Sequence, residues 1–392
     1  MMVLGVVRFK GYERPDGSYG TRNYVGVIST VACANDVVRW IAASEPQARA
    51  YCHGQGCAQT SPDLGTVVNT LVSLGRHPNL AGVLVVGLGC ESVPIDKVAD
   101  GISESGKPVD SIVIQDARGA KKARALARRK LTSLKEGSLP GRRRTADVSN
   151  LMLGLKCGGS DTTSGIAANP ALGRAVDILL ADGGSAVFGE TTESIGAENL
   201  LASRGRTKKV TEQILCAVSE MEGRAKRMGV DMRGGQPTQG NIRGGLSTIE
   251  EKSLGAVVKT GTRKVEGVFE YGSRIEGRGL FMVDSPGREP EVLTALAATG
   301  AQVIAFTTGR GAPQGFPFVP VLKITGNPKT AKRLSDHIDI DVSGIIEGEE
   351  AIEEAAGRVY EEVIAVASGR RTKAEILGYD QSMNIYTTGP VL

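Results

Sequence analysis

Short apolar runs alternate with segments of helical periodicity along the first 115 residues of the chain. Four runs predict strands, and the segments between them repeat their apolar residues at helical spacing. One of them, residues 80–88, is almost wholly apolar, which is typical of a strand buried on both faces of a parallel sheet. This alternation predicts a parallel, doubly wound sheet. The four predicted strands are residues 24–29, 48–53, 80–88 and 109–115.

The same alternation resumes after residue 150, where a short apolar run ends at Cys157 in a glycine-rich turn. Residues 230–247 are rich in Gly, Gln, Asn and Thr and predict an irregular binding loop. We therefore expect an α/β fold of two Rossmann-like parallel-sheet blocks in tandem, with helices on both faces. The first domain is predicted at residues 1–145 and the second at 146–392. Further strands are predicted at 150–155, 185–189, 281–284, 302–307 and 319–324, and helices at 171–180, 208–227, 248–254 and 349–365.

Two polar segments interrupt this pattern. Residues 8–23 contain a Pro-Asp-Gly signal and predict turns. Residues 118–146 carry many Lys and Arg side chains, which predict a solvated helix face followed by a linker at 136–145. A net charge of only +4 on 392 residues argues against a nucleic-acid partner, as does the lack of interleaved aromatic residues.

Composition narrows the class of protein further. An apolar content of 41% can build more than one core, and 52 glycines with 4% aromatic residues favour an α/β enzyme over an all-β sandwich. The first residues of the sequence have no basic lead and no apolar run long enough for a signal peptide, and no run of about 18 apolar residues occurs. We therefore expect a soluble cytoplasmic protein that spans no membrane, whose six cysteines are thiols or metal ligands rather than disulfides.

Four of the six cysteines lie just after a predicted strand: Cys33, Cys57, Cys90 and Cys157. Because parallel strands end at the same edge of a sheet, we expect the four thiols at that edge. A single cysteine is more often a small buried apolar residue, but four placed alike favour a metal site. Cys57, Cys90 and Cys157 are the preferred metal ligands, because the glycines next to them let the backbone approach a metal closely. Thiolates select iron–sulfur clusters or zinc, and the absence of C-x-x-C argues against a zinc ribbon.

Other polar side chains are predicted at the same edge. His53 lies between Cys52 and Cys57, and a role as ligand or proton carrier is about as probable as a structural one. His77 and His337 are predicted to be surface residues. Together with a metal, carboxylates at this edge could supply ligands and the base of a proton abstraction. These carboxylates are Glu91, Asp161, Glu190 and Glu193.

The segment Thr307-Thr308-Gly309-Arg310 follows the predicted strand at 302–307. Threonine hydroxyls and a guanidinium suit a carboxylate or a polyol, since arginine can hold a carboxylate with two hydrogen bonds. A polar turn is about as probable. Gly87-Leu88-Gly89 lacks the third glycine of a dinucleotide-binding motif, so a nicotinamide dehydrogenase is a weaker alternative.

Several segments together resemble the altronate/galactarate dehydratase family. The most specific are Cys-Gly-Gly-Ser-Asp at 157–161 and Thr-Thr-Gly-Arg-Gly at 307–311. The resemblance covers nearly the whole chain. The other segments that carry it are residues 11–12, 20–23, 87–91, 155–156, 168–170, 240–241, 244–253, 306, 365–369 and 373–375.

The resemblance implies an iron-dependent lyase that removes water from a sugar acid and gives a 2-keto-3-deoxy acid. A sister activity in the family is the elimination of sulfite from sulfolactate. Full-length dehydratases of the family also carry a small, β-rich N-terminal domain of SAF type, which its two-subunit members place on a separate chain. Because this chain begins directly at the large domain, we expect a small SAF-domain partner subunit and a homo- or hetero-oligomer. A homologue that only binds a sugar acid is the non-enzymatic alternative.

The resemblance also implies roles for individual residues. Cys57, Cys90 and Cys157 would hold iron, either as Fe²⁺ or as an iron–sulfur cluster. Proton transfer would fall to His53, Glu91 or Lys252. The residues expected to bind the sugar acid are Ser160, Asp161, Asn241, Thr307, Thr308 and Arg310.

Overall fold

A computed structural model gives the fold of the chain and describes residues 7–138 and 141–392. Within these ranges the strands form sheets of four, seven and three strands. In chain order the strands are β1 (Arg8–Glu13), β2 (Tyr19–Gly20), β3 (Tyr24–Ser29), β4 (Ala48–Tyr51), β5 (Leu80–Gly87), β6 (Val109–Val113), β7 (Arg144–Asp147), β8 (Met152–Cys157), β9 (Ser185–Phe188), β10 (Val265–Phe269), β11 (Leu280–Val283), β12 (Val303–Thr307), β13 (Val321–Thr325) and β14 (Ile340–Asp341).

Helices connect most of these strands. None of the described helices is long and apolar enough to cross a membrane. In chain order the α-helices are α1 (Asn35–Ala42), α2 (Ser61–Gly75), α3 (Ile95–Ser103), α4 (Ala120–Glu136), α5 (Asn169–Ala181), α6 (Glu198–Ala202), α7 (Lys208–Arg227), α8 (Met232–Gly235), α9 (Gln239–Arg243), α10 (Ile249–Val257), α11 (Glu289–Ala298), α12 (Pro328–Arg333), α13 (Gly344–Glu347), α14 (Ile352–Ala367) and α15 (Lys373–Leu377).

The four-stranded sheet is parallel, in the order β4-β3-β5-β6. All eight residues of β5 are buried, as its apolar sequence predicts. Helices α1 and α4 cover one face, where Val38 and Ala127 join the strand side chains in a core. Helices α2 and α3 cover the other face with Leu71 and Ile102. The predicted parallel sheet with helices on both faces is therefore confirmed in this block.

The seven-stranded sheet is also parallel, in the order β10-β11-β9-β8-β12-β13-β14. Helices α5 and α14 pack on one face and α11 on the other. The α11 face shares its core with the first sheet, because Ile28 and Tyr51 pack in one cluster with Phe306 and Phe316. The α/β prediction is thus confirmed, and the two parallel sheets are joined by a common apolar layer.

The small third sheet is antiparallel, in the order β2-β1-β7. It differs from the prediction of turns at 8–23 and of a linker extending to residue 145. Exposed and buried residues alternate at the start of β1, and Phe9 is buried against Tyr19 with ring centroids 6.5 Å apart. A strand only six residues long, with one large apolar side chain, gives too little periodicity to distinguish it from a turn.

The C-terminal segment returns to the first sheet. Glu375 forms a 2.7 Å ion pair with Arg22, and the Asp63 carboxylate accepts the backbone N–H groups of Thr388 and Gly389, both at 2.8 Å. The N–H of Leu392 donates to the carbonyl of Ala58 at 2.8 Å. The last of these contacts joins the loop that contains Cys57 to the end of the chain.

Candidate active site

A large cavity of about 640 Å³ lies among several predicted site residues at the carboxyl edge of the seven-stranded sheet. Ligand sites of open α/β sheets form at this edge because the strands turn into loops there. Loops after β8, β9, β11 and β12, together with the α8–α10 region, form its walls. The polar residues of the lining are Lys156, Ser160, Thr192, Glu193, Gln236, Thr238, Asn241, Lys252, Arg288, Glu289 and Arg310.

A buried carboxylate beneath the cavity holds two lysines. Glu190 accepts from Lys156 Nζ at 2.5 Å and pairs with Lys259 Nζ at 3.0 Å, and the backbone N–H of Cys157 donates to it at 3.1 Å. Burial alone would lower the pKa of both lysines, but the attraction of Glu190 and neighbouring acidic groups outweighs it, so both pKa values are raised. Both ammonium groups therefore remain charged beside the cavity. Glu190 itself has φ of 63°, a conformation rare outside glycine and concentrated at functional sites.

Glu193 lies in the cavity wall, and one of its two carboxylate oxygens lacks a hydrogen-bond partner among the described residues. Its Oε1 lies 3.2 Å from Lys252 Nζ, whereas its buried Oε2 has no hydrogen-bond partner within residues 7–138 and 141–392. Burial would raise the pKa of Glu193, but Lys252, Lys156 and Lys259 together lower it. Glu193 is thus an ionised carboxylate in the cavity wall, and one of its oxygens is buried without a hydrogen-bond partner in the described chain.

Cys157 ends strand β8 and is 1% exposed. Its Sγ lies 2.9 Å from Ser160 Oγ and 3.6 Å from Asn169 Nδ2. Burial, followed by the charge of Glu193, raises the pKa of this thiol, which therefore stays protonated. Cys157 lines a smaller cavity of about 210 Å³, and Ser160 and Lys252 form part of the wall of both cavities.

The structure separates the six predicted substrate-binding residues into two groups. Ser160, Asn241 and Arg310 line the large cavity. Thr307 donates to Asn169 Oδ1 at 2.6 Å, and Thr308 Oγ1 accepts the N–H groups of Gly311 and Ala312. The two threonines therefore shape the loop around Arg310.

Asp161 lines only the smaller cavity, and its carboxylate is fully engaged. It accepts from Thr163 Oγ1 at 2.7 Å, from the N–H of Ser164 at 3.0 Å and from Asn327 Nδ2 at 2.7 Å. This arrangement fixes the turn between β8 and α5. The substrate-binding role of Asp161 stays a prediction, while its contacts are those of a residue that positions Ser160.

Gly309 packs directly against this carboxylate. A Cβ at Gly309 would lie 2.0 Å from Asp161 Oδ1, and the hydrogen bonds of Asp161 prevent it from moving aside. We therefore expect Gly309→Ala to lower the free energy of unfolding by about 1–3 kcal/mol, as overpacking does. Urea denaturation followed by circular dichroism measures this loss. Gly357→Ala in α14 is the matched control, because its Cβ meets no atom within 4 Å and alanine favours helix; an equal loss in both variants contradicts the packing argument.

His53 and Glu91, two of the predicted catalytic residues, lie at the carboxyl edge of the four-stranded sheet and do not line the large cavity. His53 Nε2 hydrogen-bonds the carbonyl of Ser29 at 2.9 Å, and its Nδ1 accepts the N–H of Gln55 at 3.2 Å. Glu91 accepts from Thr30 Oγ1 at 2.7 Å and holds the Gly89 loop. Lys252, the third predicted catalytic residue, does line the cavity. The catalytic roles of all three stay predictions.

The surface positions predicted for His77 and His337 are wrong, because both rings are buried and bond backbone carbonyls. Burial lowers the pKa of His77 to about 3 and that of His53 to about 4. The folded chain therefore binds protons less readily than the unfolded chain, and stability falls as the pH drops below the ordinary value of 6.5.

We expect this loss to reach about 1.4 kcal/mol per pH unit for each of the two histidines. Urea denaturation between pH 6.5 and 5, above the range in which most carboxylates titrate, measures the slope. In His77→Gln one of the two titrating rings is absent, so the slope should be about half as steep. The same slope in the variant as in the original chain would show that burial of His77 does not cause the effect.

The predicted metal ligands are not gathered. Cys57 and Cys90 are exposed on loops of the four-stranded sheet, whereas Cys157 is buried beside the cavity of the other sheet. Within residues 7–138 and 141–392, no three His, Cys, Asp or Glu side chains form a group that could hold a metal ion. The set Cys57, Cys90 and Cys157 therefore does not fit one metal, and the iron cofactor stays a prediction.

Sequence reasoning missed the two buried lysines that pair with Glu190, Lys156 and Lys259. A signal for the first was present, since Lys156 is the one charged residue in the apolar run of β8. A lysine in a strand that is buried on both faces requires a buried counter-charge. Glu190 was identified only as one acidic residue among four, and nothing local in the sequence marks it as the partner.

Family models and relatives agree on the class of protein. The model for "D-galactarate dehydratase/Altronate hydrolase, second domain" matches residues 11–137, and that for "D-galactarate/Altronate dehydratase, C-terminal" matches residues 148–391.

Among solved structures, the ADP-heptose lipopolysaccharide heptosyltransferase II of E. coli covers 88% of this chain and 98% of its own. Its sequence identity is 13% and its TM-score is 0.21, which is too low to indicate a shared fold.

Three curated relatives cover nearly the whole chain. The (2R)-sulfolactate sulfo-lyase subunit beta of Chromohalobacter salexigens is 39% identical over 95% of both chains. The altronate dehydratase of Bacillus subtilis is 34% identical over 94% of this chain and 75% of its own. The galactarate dehydratase (L-threo-forming) of Escherichia coli is 32% identical over 98% of this chain and 77% of its own. The chain therefore belongs to the D-galactarate/altronate dehydratase family, whose named relatives are lyases.

Proposed function

We propose that the chain is a hydro-lyase that eliminates water from a sugar acid such as altronate or galactarate and gives a 2-keto-3-deoxy sugar acid. The observation that carries this proposal is the large cavity, which is lined by the ionised Glu193, paired with Lys252 at 3.2 Å, and by Lys156. A carboxylate base next to fixed cations is what proton abstraction beside a substrate carboxylate requires.

The Glu193 carboxylate is proposed to accept the proton from C2 of the sugar acid. The pKa of Glu193 is lowered, so the group is in its basic form at neutral pH. The ion pair between Glu193 Oε1 and Lys252 holds the carboxylate in the cavity wall. Loss of the C2 proton places negative charge on the substrate carboxylate, which the enzyme must stabilise.

The cations of the cavity supply that stabilisation. Lys156 lies in the cavity wall, and its charged ammonium group is buried and held by Glu190. Lys252 is proposed to give a proton to the leaving C3 hydroxyl, so that water departs and an enol remains, which becomes the 2-keto acid. Arg310 and Arg288, at the exposed side of the cavity, are proposed to bind the carboxylate groups.

Iron enters none of these steps. If it binds, iron would supply a Lewis acid for the carboxylate and the leaving oxygen. The predicted ligands Cys57, Cys90 and Cys157 are not gathered around the cavity. The steps above are therefore assigned to side chains that line the cavity.

Elimination of sulfite from (2R)-sulfolactate is the second candidate. The first half is the same, since a base removes the C2 proton, but sulfite then leaves C3 with the bonding electrons and needs no proton. The observation in its favour is the 39% identity to the sulfo-lyase subunit beta over 95% of both chains. Four cations around the large cavity, Lys156, Lys252, Arg288 and Arg310, also suit a substrate with two negative groups.

We further propose that the chain forms a hetero-oligomer with a small SAF-domain subunit, or a homo-oligomer with copies of itself. The support is that the sulfo-lyase relative is named as a subunit. Co-expression with a candidate small subunit and size-exclusion chromatography test this association; two chains that elute apart at micromolar concentration contradict it.

A substrate panel tests the reaction. The chain, purified without oxygen and supplied with Fe²⁺, is incubated with altronate, galactarate and sulfolactate, with and without the candidate small subunit. The 2-keto acid and sulfite are then measured. A keto acid without sulfite supports the hydro-lyase, and both products together support the sulfo-lyase. Tight binding of an acid without any product under all conditions would contradict both and support a sugar-acid-binding homologue.

A further inference from the structure

Glu289 is a second carboxylate in the wall of the large cavity, and no step of the proposed reaction uses it. It is the first residue of α11 and is half-buried. A Cβ at Gly158 would lie 2.6 Å from Glu289 Oε1, so the carboxylate packs against the turn that follows β8. The cavity is therefore lined by Glu289 as well as by Glu193.

Arg310 approaches the same turn from the loop after β12. Its backbone N–H donates to the carbonyl of Gly159 at 3.0 Å, and its Nη1 donates to the carbonyl of Gly240 at 3.2 Å. Glu289 and Arg310 line one cavity, yet in residues 7–138 and 141–392 neither forms an ion pair, with the other or with a third residue. Two opposite charges that stay apart in one cavity are complementary to a ligand with one anionic end and one hydrogen-bond-donating end.

The other ionic groups of the cavity wall are already paired. Three of the four lining cations have a carboxylate partner, and Glu190 holds Lys259 as a second cation. The three pairs are Lys156 with Glu190, Lys252 with Glu193 and Arg288 with Glu291. Together with Lys259, Arg310 and Glu289 they amount to five cations and four carboxylates, which leaves one positive charge. This balance fits one anionic group of a ligand and leaves a second one uncompensated.

The cavity wall also has more hydrogen-bond acceptors than donors to satisfy them. Gln236 and Glu193 line the cavity, and in the part of the chain that the structure describes Gln236 Oε1 and Glu193 Oε2 are buried without a partner. The carboxylate of Glu289 likewise accepts no hydrogen bond from a described residue. Buried acceptors without donors are destabilising, and hydroxyl groups of a ligand can satisfy them. A polyol supplies such donors, whereas a sulfonate supplies only acceptors.

We propose that Glu289 selects the substrate, because it accepts hydrogen bonds from hydroxyl groups of the acid and repels a second anionic group. The preferred substrate class is then a monocarboxylic polyhydroxy acid, an aldonate such as altronate, with its one carboxylate on Arg310. Galactarate and sulfolactate each carry a second anionic group and are disfavoured. This inference rests on the proposed function, since it assigns a substrate class to the same cavity.

Equilibrium binding of three acids tests this selection. The whole chain and its Glu289→Gln variant are titrated in a calorimeter with altronate, galactarate and sulfolactate. The original chain should bind altronate at least about tenfold more tightly than either dianion, because like charges placed together are strongly unfavourable. Glu289→Gln should weaken altronate binding about fivefold, since a charged acceptor bonds more strongly than a neutral one. The same variant should bind sulfolactate about tenfold more tightly than the original chain does.

Two further variants separate the charge of Glu289 from its hydrogen bonds and from the charge of the whole chain. Glu289→Asp keeps the negative charge on a shorter side chain, so the preference for altronate over sulfolactate should remain. Glu250→Gln removes the same charge outside the cavity lining and should leave every Kd within about twofold. Because Glu289 is half-buried and has no partner in the described ranges, its substitutions should leave the circular dichroism spectrum unchanged.

Turnover is assayed separately, as 2-keto acid and sulfite. The expected binding pattern without any keto acid would contradict the proposed reaction and support the selection by Glu289. Keto acid formed with the same selectivity by the original chain and by Glu289→Gln would contradict the selection alone. Equal affinity of the original chain for altronate and the dianions, or equal weakening of all three acids in Glu289→Gln, would also overturn it. Failure of the original chain to bind any of the acids overturns both proposals.

Discussion

Glu193→Gln is expected to lower kcat by about 10²–10⁴-fold, the range that a positioned general base supplies. The substitution keeps the shape of the side chain and removes its negative charge. Glu193 lines the ligand cavity, and its Oε2 is buried without a hydrogen-bond partner in the described chain. An amide there can neither accept the C2 proton nor pair with the charge of Lys252. Steady-state kinetics with the substrate identified from the panel measure the effect.

Glu250→Gln is the matched control for this prediction. Glu250 is exposed, lies on the first turn of α10 close to Lys252 in sequence, and does not line the cavity. The same chemical change there should leave kcat within about twofold, since isolated surface pairs contribute little. A Glu193→Gln variant that folds, binds the acid and retains the kcat of the original chain would remove Glu193 from the mechanism.

Glu190→Gln is expected to have the largest effect on stability, a loss of about 3–5 kcal/mol in the free energy of unfolding. Glu190 is 1% exposed, and its carboxylate pairs with two lysines that are 1% and 3% exposed. Without the carboxylate, Lys156 and Lys259 would be two like charges in a medium that solvates them poorly. Urea denaturation followed by circular dichroism measures the loss.

Two further variants separate charge from packing. Adding Lys259→Met to Glu190→Gln removes one uncompensated charge at similar volume and should restore part of the lost stability. Glu362→Gln breaks the surface pair with Arg370 and should cost at most about 1 kcal/mol. If Glu190→Gln and Glu362→Gln lose equal stability, or if the double variant is no more stable than Glu190→Gln alone, the buried ion group does not act as described.

The sequence pattern predicted the parallel sheets because most of their strands have an apolar run of their own. Leu80–Gly87 is buried along its whole length and is recognisable without any knowledge of its neighbours. Strand β1 was missed because its stability comes from β7, more than 130 residues later in the chain. Strand β10, with one buried residue in five, gives too weak a pattern to be found.

Four residues that the family resemblance assigned to the site, Ser160, Asn241, Lys252 and Arg310, line the large cavity, and their roles stay predictions. Thr307 and Thr308 belong to the same motif as Arg310, yet their hydroxyl groups form hydrogen bonds with neighbouring protein groups. Whether a polar side chain in a turn faces a ligand or a neighbouring loop depends on tertiary contacts, which sequence spacing does not determine.

The electrostatics of the site could not be predicted from local sequence. Glu190 pairs with Lys156, which lies 34 positions earlier in the sequence, and with Lys259, which lies 69 positions later. Lys259 follows α10, on a separate part of the chain. The lowered pKa of Glu193 depends on three lysines from three elements. Burial by the fold turns these ordinary charged residues into a coupled group, because a low-dielectric surrounding makes each pair strong and each unpaired charge costly.

Release of the C2 hydrogen tests the central claim most directly. The chain is given its substrate with deuterium at C2, and label entering water is measured together with the 2-keto acid. We predict that label and keto acid appear at the same rate, and that Glu193→Gln releases neither above background while Glu250→Gln releases both. Label release at the original rate by Glu193→Gln, or keto acid formed with C2 deuterium retained, would contradict the account.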